Sequence, residues 1–97
     1  MGGPAVGLLI LELHLVEARS LKDKRHYVKG LKDRLRAKFN VSAAETADFD
    51  VWTRGQISVV CVSASRDYAE GLLRNVENEA ARFLGPYLDS ATLEWLG

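Results

Sequence analysis

The spacing of apolar residues switches from every second position to every third or fourth and back again, twice, and few folds accommodate that order. Val6 to Val16 (VGLLILELHLV) alternates, with Leu9, Leu11, Leu13 and Leu15 on one face and Leu8, Ile10, Glu12, His14 and Val16 on the other. The strict alternation and Gly7 favour a strand despite the leucines. A link, Glu17 to Arg19, leads into Ser20 to Phe39, where Leu21, Val28, Leu31, Leu35 and Phe39 fall on one side of a helix. Ser20 is suited to cap its amides, Asp23 supports the first turn, and Asn40 tolerates the turn just beyond its end. Val41 to Ala47 is a weaker strand of small side chains, and Asp48 to Asp50 a turn. The next strand lies within Val51 to Ser63 and is clearest at Gln56 to Val62; Trp52 and Arg54 lead into it, and Gly55 marks a bulge or a close backbone approach.

Ser65 or Asp67 caps a second helix running through Leu84, with Tyr68, Leu72, Leu73, Val76, Ala80 and Phe83 as its apolar stripe. Gly85-Pro86 stops it. In the last strand, Tyr87 to Leu96, Ala91, Leu93 and Trp95 alternate with Thr92, Glu94 and Leu96. The order strand, helix, strand, strand, helix, strand predicts a ferredoxin-like α+β sandwich, a four-stranded antiparallel sheet with two helices on one face. Residues 6–97 are expected to form one such domain behind a flexible leader, residues 1–5.

The other face of that sheet then has no cover from the chain. It is expected to carry Leu8, Ile10, Glu12, His14 and Val16, and an apolar set from the third strand at either parity. A contiguous apolar sheet face is usually a contact surface, and a symmetric homo-oligomer, a dimer first, is its simplest cover. Ile10, Glu12, His14 and Val16 are the candidate interface residues.

Charge divides the chain unevenly. The 97 residues balance 13 Lys or Arg against 13 Asp or Glu. Arg19 to Lys38 nevertheless holds nine basic and two acidic residues, a formal +7 against −7 elsewhere. Lys22, Arg25, Lys29, Lys32 and Arg36 are spaced three and four apart and form one line beside the apolar stripe, with Arg19 and Lys24 near its start. Such a line suits phosphates, and these seven are the candidate nucleic-acid contacts. A solvated helix face would carry the same pattern.

Other chemistries find less support. Arg54-Gly55 resembles the start of an RNA-recognition strand, but Gln56, Ile57, Ser58 and Val59 lack its base-stacking aromatics, and the first strand has none. RNA is therefore expected on the basic helix, through backbone phosphates. His14, His26 and Cys61 have no ligand spacing, and no metal or cofactor is expected. No phosphate loop or nucleophile–base pair marks a catalytic residue, so a non-enzymatic protein is expected. Glu12 and His14 share a strand face, where a contact role is favoured over an acid/base pair. No apolar run is long enough to span a bilayer, and a lone cysteine fits a reducing cytoplasm.

Ser20-Leu21-Lys22-Asp23-Lys24-Arg25 and Lys38-Phe39-Asn40-Val41-Ser42, followed by Glu45, Asp50, Trp52 and the valine-rich strand, resemble the YlxP-like family of small bacterial proteins, a domain of unknown function. The resemblance spans nearly the whole chain after the leader and implies the same ferredoxin-like fold. Members are often encoded beside genes for translation initiation and ribosome maturation, which implies a role near the small ribosomal subunit. It implies no catalytic residues. Ser20 and Asp23 serve the helix start; Lys22, Lys24 and Arg25 need not be cationic for folding, which makes them the functional candidates of the motif. His26-Tyr27 and Gly30 depart from the pattern; Gly30 weakens the helix by about 1 kcal/mol unless close packing requires it.

Overall fold

Leucine alternation on the first strand sets the architecture. In a computed structural model describing residues 2–97, Leu9, Leu11 and Leu13 of β1 (Ala5–His14) are fully buried on one face. The remaining elements are α1 (Leu21–Lys38), β2 (Ser42–Ala47), β3 (Arg54–Ser63), α2 (Arg66–Leu84), a single 3-10 turn at Gly85–Tyr87, and β4 (Leu88–Trp95). The strands form one antiparallel sheet in the order β2-β3-β1-β4. This is the ferredoxin-like sandwich the periodicity predicts. Leu9, Leu11, Ile57, Val59 and Cys61 on the inner face meet Val28, Leu31 and Leu35 of α1 and Ala69, Leu73, Val76 and Ala80 of α2.

Several boundaries and contacts differ from the sequence reading. β1 starts at Ala5 and ends at His14, so Val16 lies in the following turn, off the sheet and exposed. The bulges fall between Glu12 and Leu13, against β4, and between Glu45 and Ala47, against β3, not at Gly55. Ser65, rather than Asp67, caps α2, its hydroxyl accepting from the Tyr68 amide. The inner stripe of α2 runs through Ala69 where Tyr68 was expected. Tyr68 points to solvent, because an alanine fits the tight approach to Cys61 and a tyrosine does not.

Gly30 has the packing reason the sequence left open. A Cβ there would meet the tip of the Phe83 ring at 2.9 Å, so the bare backbone lets α2 seat this ring against α1. Arg34 lies over the same ring, 4.9 Å from its centre.

The outer face of the sheet is divided. Val62, Val6 and Leu96 form one row, with Val60, Leu8 and Ile10 beside it. Toward the other end the face turns polar. Gln56 donates to Glu12 at 2.8 Å, Thr46 donates to Gln56 at 2.7 Å, and Arg54 pairs with Asp89. The expected apolar outer face of the third strand is thus half right, since Gln56 and Ser58 occupy its other half. Glu12 binds Gln56, and the residue opposite His14 is Arg54, which leaves no support for a Glu12–His14 pair.

Candidate nucleic-acid interface

The start of α1 is built by its own sequence. Ser20 accepts from the Asp23 amide at 3.1 Å, and Asp23 accepts in return from the Arg19 amide at 2.9 Å. This reciprocal pair satisfies two amides of the helix start and orients the first turn. From there Lys22, Arg25, Lys29, Lys32 and Arg36 follow along the helix.

Four of them, Arg25, Lys29, Lys32 and Arg36, line a groove of about 460 Å³ between α1 and the edge strand β2, with Val28 at its floor and Asp33 and Glu45 beside it. The two carboxylates offset only part of the groove's charge. Lys29 holds Asp33 at 2.6 Å, and this hydrogen bond keeps the Asp33 carboxyl below its ordinary range. Glu45 is occupied at 3.2 Å by Lys24. Arg25 and Lys32 have no carboxylate partner among the described residues. Arg36 donates to the Ala43 carbonyl on the open edge of β2, covering an acceptor that would otherwise invite another strand. Lys22 and Arg19 are exposed beyond the groove.

Lys24 must be removed from the candidate set. It is 1 % exposed, and its ammonium pairs with Glu45 and donates to the Asp48 carbonyl. Asp48 takes a left-handed conformation, φ 61°, and its carbonyl also accepts from Val51, so Lys24 ties α1 to the β2–β3 turn. Its charge serves the fold, contrary to the expectation that the motif lysine is free. The signal was present: Leu21, Lys24, Val28, Leu31 and Leu35 are spaced three, four, three and four apart.

The sequence reading also missed Glu79. It is 2 % exposed, and Arg82 at 2.7 Å, Lys38 at 2.9 Å and Arg34 at 3.1 Å grip its carboxylate. These hydrogen bonds, Arg82's foremost, hold its pKa at about 2. Three cations on one carboxylate leave a net positive patch on the α2 side of α1. Elsewhere, Tyr87 donates to Glu17, and that bond raises the phenol to about 12. His14, His26 and Cys61 lie on different elements, and the buried thiol is pushed up by desolvation. Of the interface candidates, Ile10 borders the apolar rows, Glu12 and His14 lie in the polar half, and Val16 is off the sheet.

Against known proteins, residues 6–87 match the family model described as Protein of unknown function (DUF503). The uncharacterized protein YlxP of Bacillus subtilis (strain 168) is 37 % identical over 71 residues, covering 73 % of this chain and 77 % of that protein. A dimeric ferredoxin-like protein of unknown function from Thermobifida fusca YX superposes with a TM-score of 0.59 at 13 % identity, over 100 % of this chain and 93 % of that one. A C-terminal segment of the alpha subunit of aIF2 from Pyrococcus abyssi gives 0.55 at 14 %, over 99 % of this chain and 51 % of that one. At such identities the likeness is one of fold.

Proposed function

The chain belongs to the DUF503 family of proteins of unknown function, and from that premise we propose that it is a non-enzymatic cytoplasmic protein that docks RNA by its phosphates, on the small ribosomal subunit or a precursor of it. One observation carries the reading: Arg25, Lys29, Lys32 and Arg36 converge on a single groove, where Glu45 is held by Lys24 and Asp33 offsets only Lys29. Lys22 and Arg19 extend the positive line at the helix start. From Lys22 to Arg36 the line runs about 21 Å along the helix, at 1.5 Å per residue. A positive charge at every turn suits a linear polyanion better than a ligand with one charged point.

The test is binding of a fluorescent single-stranded RNA to wild type and to a triple variant, Arg25→Gln, Lys29→Gln and Lys32→Gln. All three side chains can be neutralised without touching the core, and Arg36 is spared because it covers β2. Loss of about tenfold or more in affinity by the folded variant supports the reading. Equal affinity removes this face from RNA binding.

A second reading has its own support. Val62 is 68 % and Leu96 61 % exposed, and with Val6, Val60, Leu8 and Ile10 they make a continuous apolar area on the open sheet. Self-association through this area predicts a dimer in sedimentation equilibrium that Val62→Lys dissociates. A wild-type monomer at high concentration contradicts it.

A further inference from the structure

Gly71 sits inside α2, where glycine weakens a helix by about 1 kcal/mol relative to alanine. Its backbone is ordinary and a Cβ there would meet nothing within 4 Å, so no neighbour requires its small size. The other helix-interior glycine, Gly30, is held by its contact with Phe83. What the missing side chain of Gly71 does is leave open a cleft of about 460 Å³ between the end of α1 and the first half of α2. Such a volume is within the range of small-ligand sites.

The lining has a definite chemistry. The end of α1 contributes Lys38, Phe39 and Asn40; α2 contributes Asp67, Tyr68, Leu72 and Asn75 around Gly71. On α2 these positions share one face by their spacing. An aromatic ring thus comes from each side, one of them, Tyr68, 65 % exposed. Two carboxamides offer both donors and acceptors. Lys38 shares the Glu79 carboxylate with Arg34 and Arg82, so its charge is in excess at that cluster, and Asp67 on the α2 wall is the one carboxylate of the cleft lining.

We propose that this cleft holds one unstacked base of a single-stranded RNA, against Tyr68 and Phe39, with Asn40 and Asn75 bonding its edges and Lys38 meeting the adjoining phosphate. Aromatic rings stack on any base, and carboxamides match the donor and acceptor edges that unpaired bases present. The cleft lies past the last turn of α1 on its α2 side, whereas the groove lies on its β2 side, so a strand leaving the groove at Arg36 must turn round the helix end to place a base here. The inference rests on the RNA-docking reading and adds that the strand must be single and must carry bases.

The experiment compares a single-stranded RNA with an abasic strand of the same length and phosphate count, on wild type, Gly71→Leu and Tyr68→Ala. Gly71→Leu fills the cleft, and leucine is the better helix former, so a thermal melt should show its fold intact. Tyr68→Ala removes an exposed ring that no core contact needs. The expected result is tighter wild-type binding of the base-bearing strand, lost by about tenfold in each variant, with abasic binding unchanged. Equal wild-type affinity for the two strands, or no effect of either variant, overturns the base site while the phosphate groove stands. Failure of wild type to bind either strand overturns the groove reading itself, and the base site with it. Binding of AMP as tight as the strand overturns the assignment to a strand.

Discussion

Lys24 and Glu79 are charges placed where the helical spacing calls for apolar residues, and the fold satisfies each. Lys24 has Glu45 and the Asp48 carbonyl; Glu79 has Arg82, Lys38 and Arg34. Replacing Lys24 by Met strands a part-buried Glu45 and leaves the Asp48 carbonyl with the Val51 amide alone, and should cost about 1–3 kcal/mol in urea unfolding. Adding Glu45→Gln should return part of that loss; a single variant as stable as wild type would show the pair to be dispensable. For Glu79 the sign follows from its lowered pKa. The unfolded carboxyl takes up a proton below its ordinary 4.5, whereas the folded one resists down to about 2. Its stabilisation is complete above the unfolded value and is lost as pH falls through that interval. The stability gap between wild type and Glu79→Gln should therefore be largest near about pH 6 and close toward about pH 2. A gap independent of pH would mean that the three cations do not act through this charge. Both residues were legible in principle, since each interrupts an apolar stripe in register. A charge in such a stripe reads as solvated until the partner from a distant element is known, and Glu45 and Arg34 are 21 and 45 residues away in the chain.

At the scale of elements, the order βαββαβ was open to reading because its evidence is local: alternation, caps and breakers. Ser20 and Gly85 mark their helix ends as expected. The phase of α2 was harder. Tyr68 outweighs Ala69 in any count of apolar size, but the helix lies too close to β3 for a ring, and the small residue turns inward. Helix–helix distance is likewise a property of the pair, so Gly30 and Gly71 look alike in the chain and differ in the fold. Gly71→Ala should stabilise by about 1 kcal/mol, the difference in helix propensity. Gly30→Ala gains the same propensity but displaces Phe83, and should end about 1 kcal/mol or more below the Gly71 variant. Equal gains in thermal melts would show that α1 and α2 are not in this contact. The cleft at Gly71 had no signature in sequence, since its two walls are joined only by folding.

Over the whole molecule, a formally neutral chain is polarised by its fold. The excess of cations on α1 is legible in the chain order; what folding adds is its distant pairs, Lys24 with Glu45 and Arg34 and Lys38 with Glu79. Neutrality of composition therefore says little about which partner the surface prefers. The sheet's open face presents a different character, apolar toward Val6 and polar toward His14, so the molecule presents two unlike surfaces. The most direct test of the phosphate-docking account is the salt dependence of RNA binding. Three or four neutralised phosphates on a single strand predict a slope of log K against log salt of about −2 to −3, falling in magnitude by about 0.7 for each contact removed among Arg25, Lys29 and Lys32. A slope near zero, or one the substitutions leave unchanged, would contradict it.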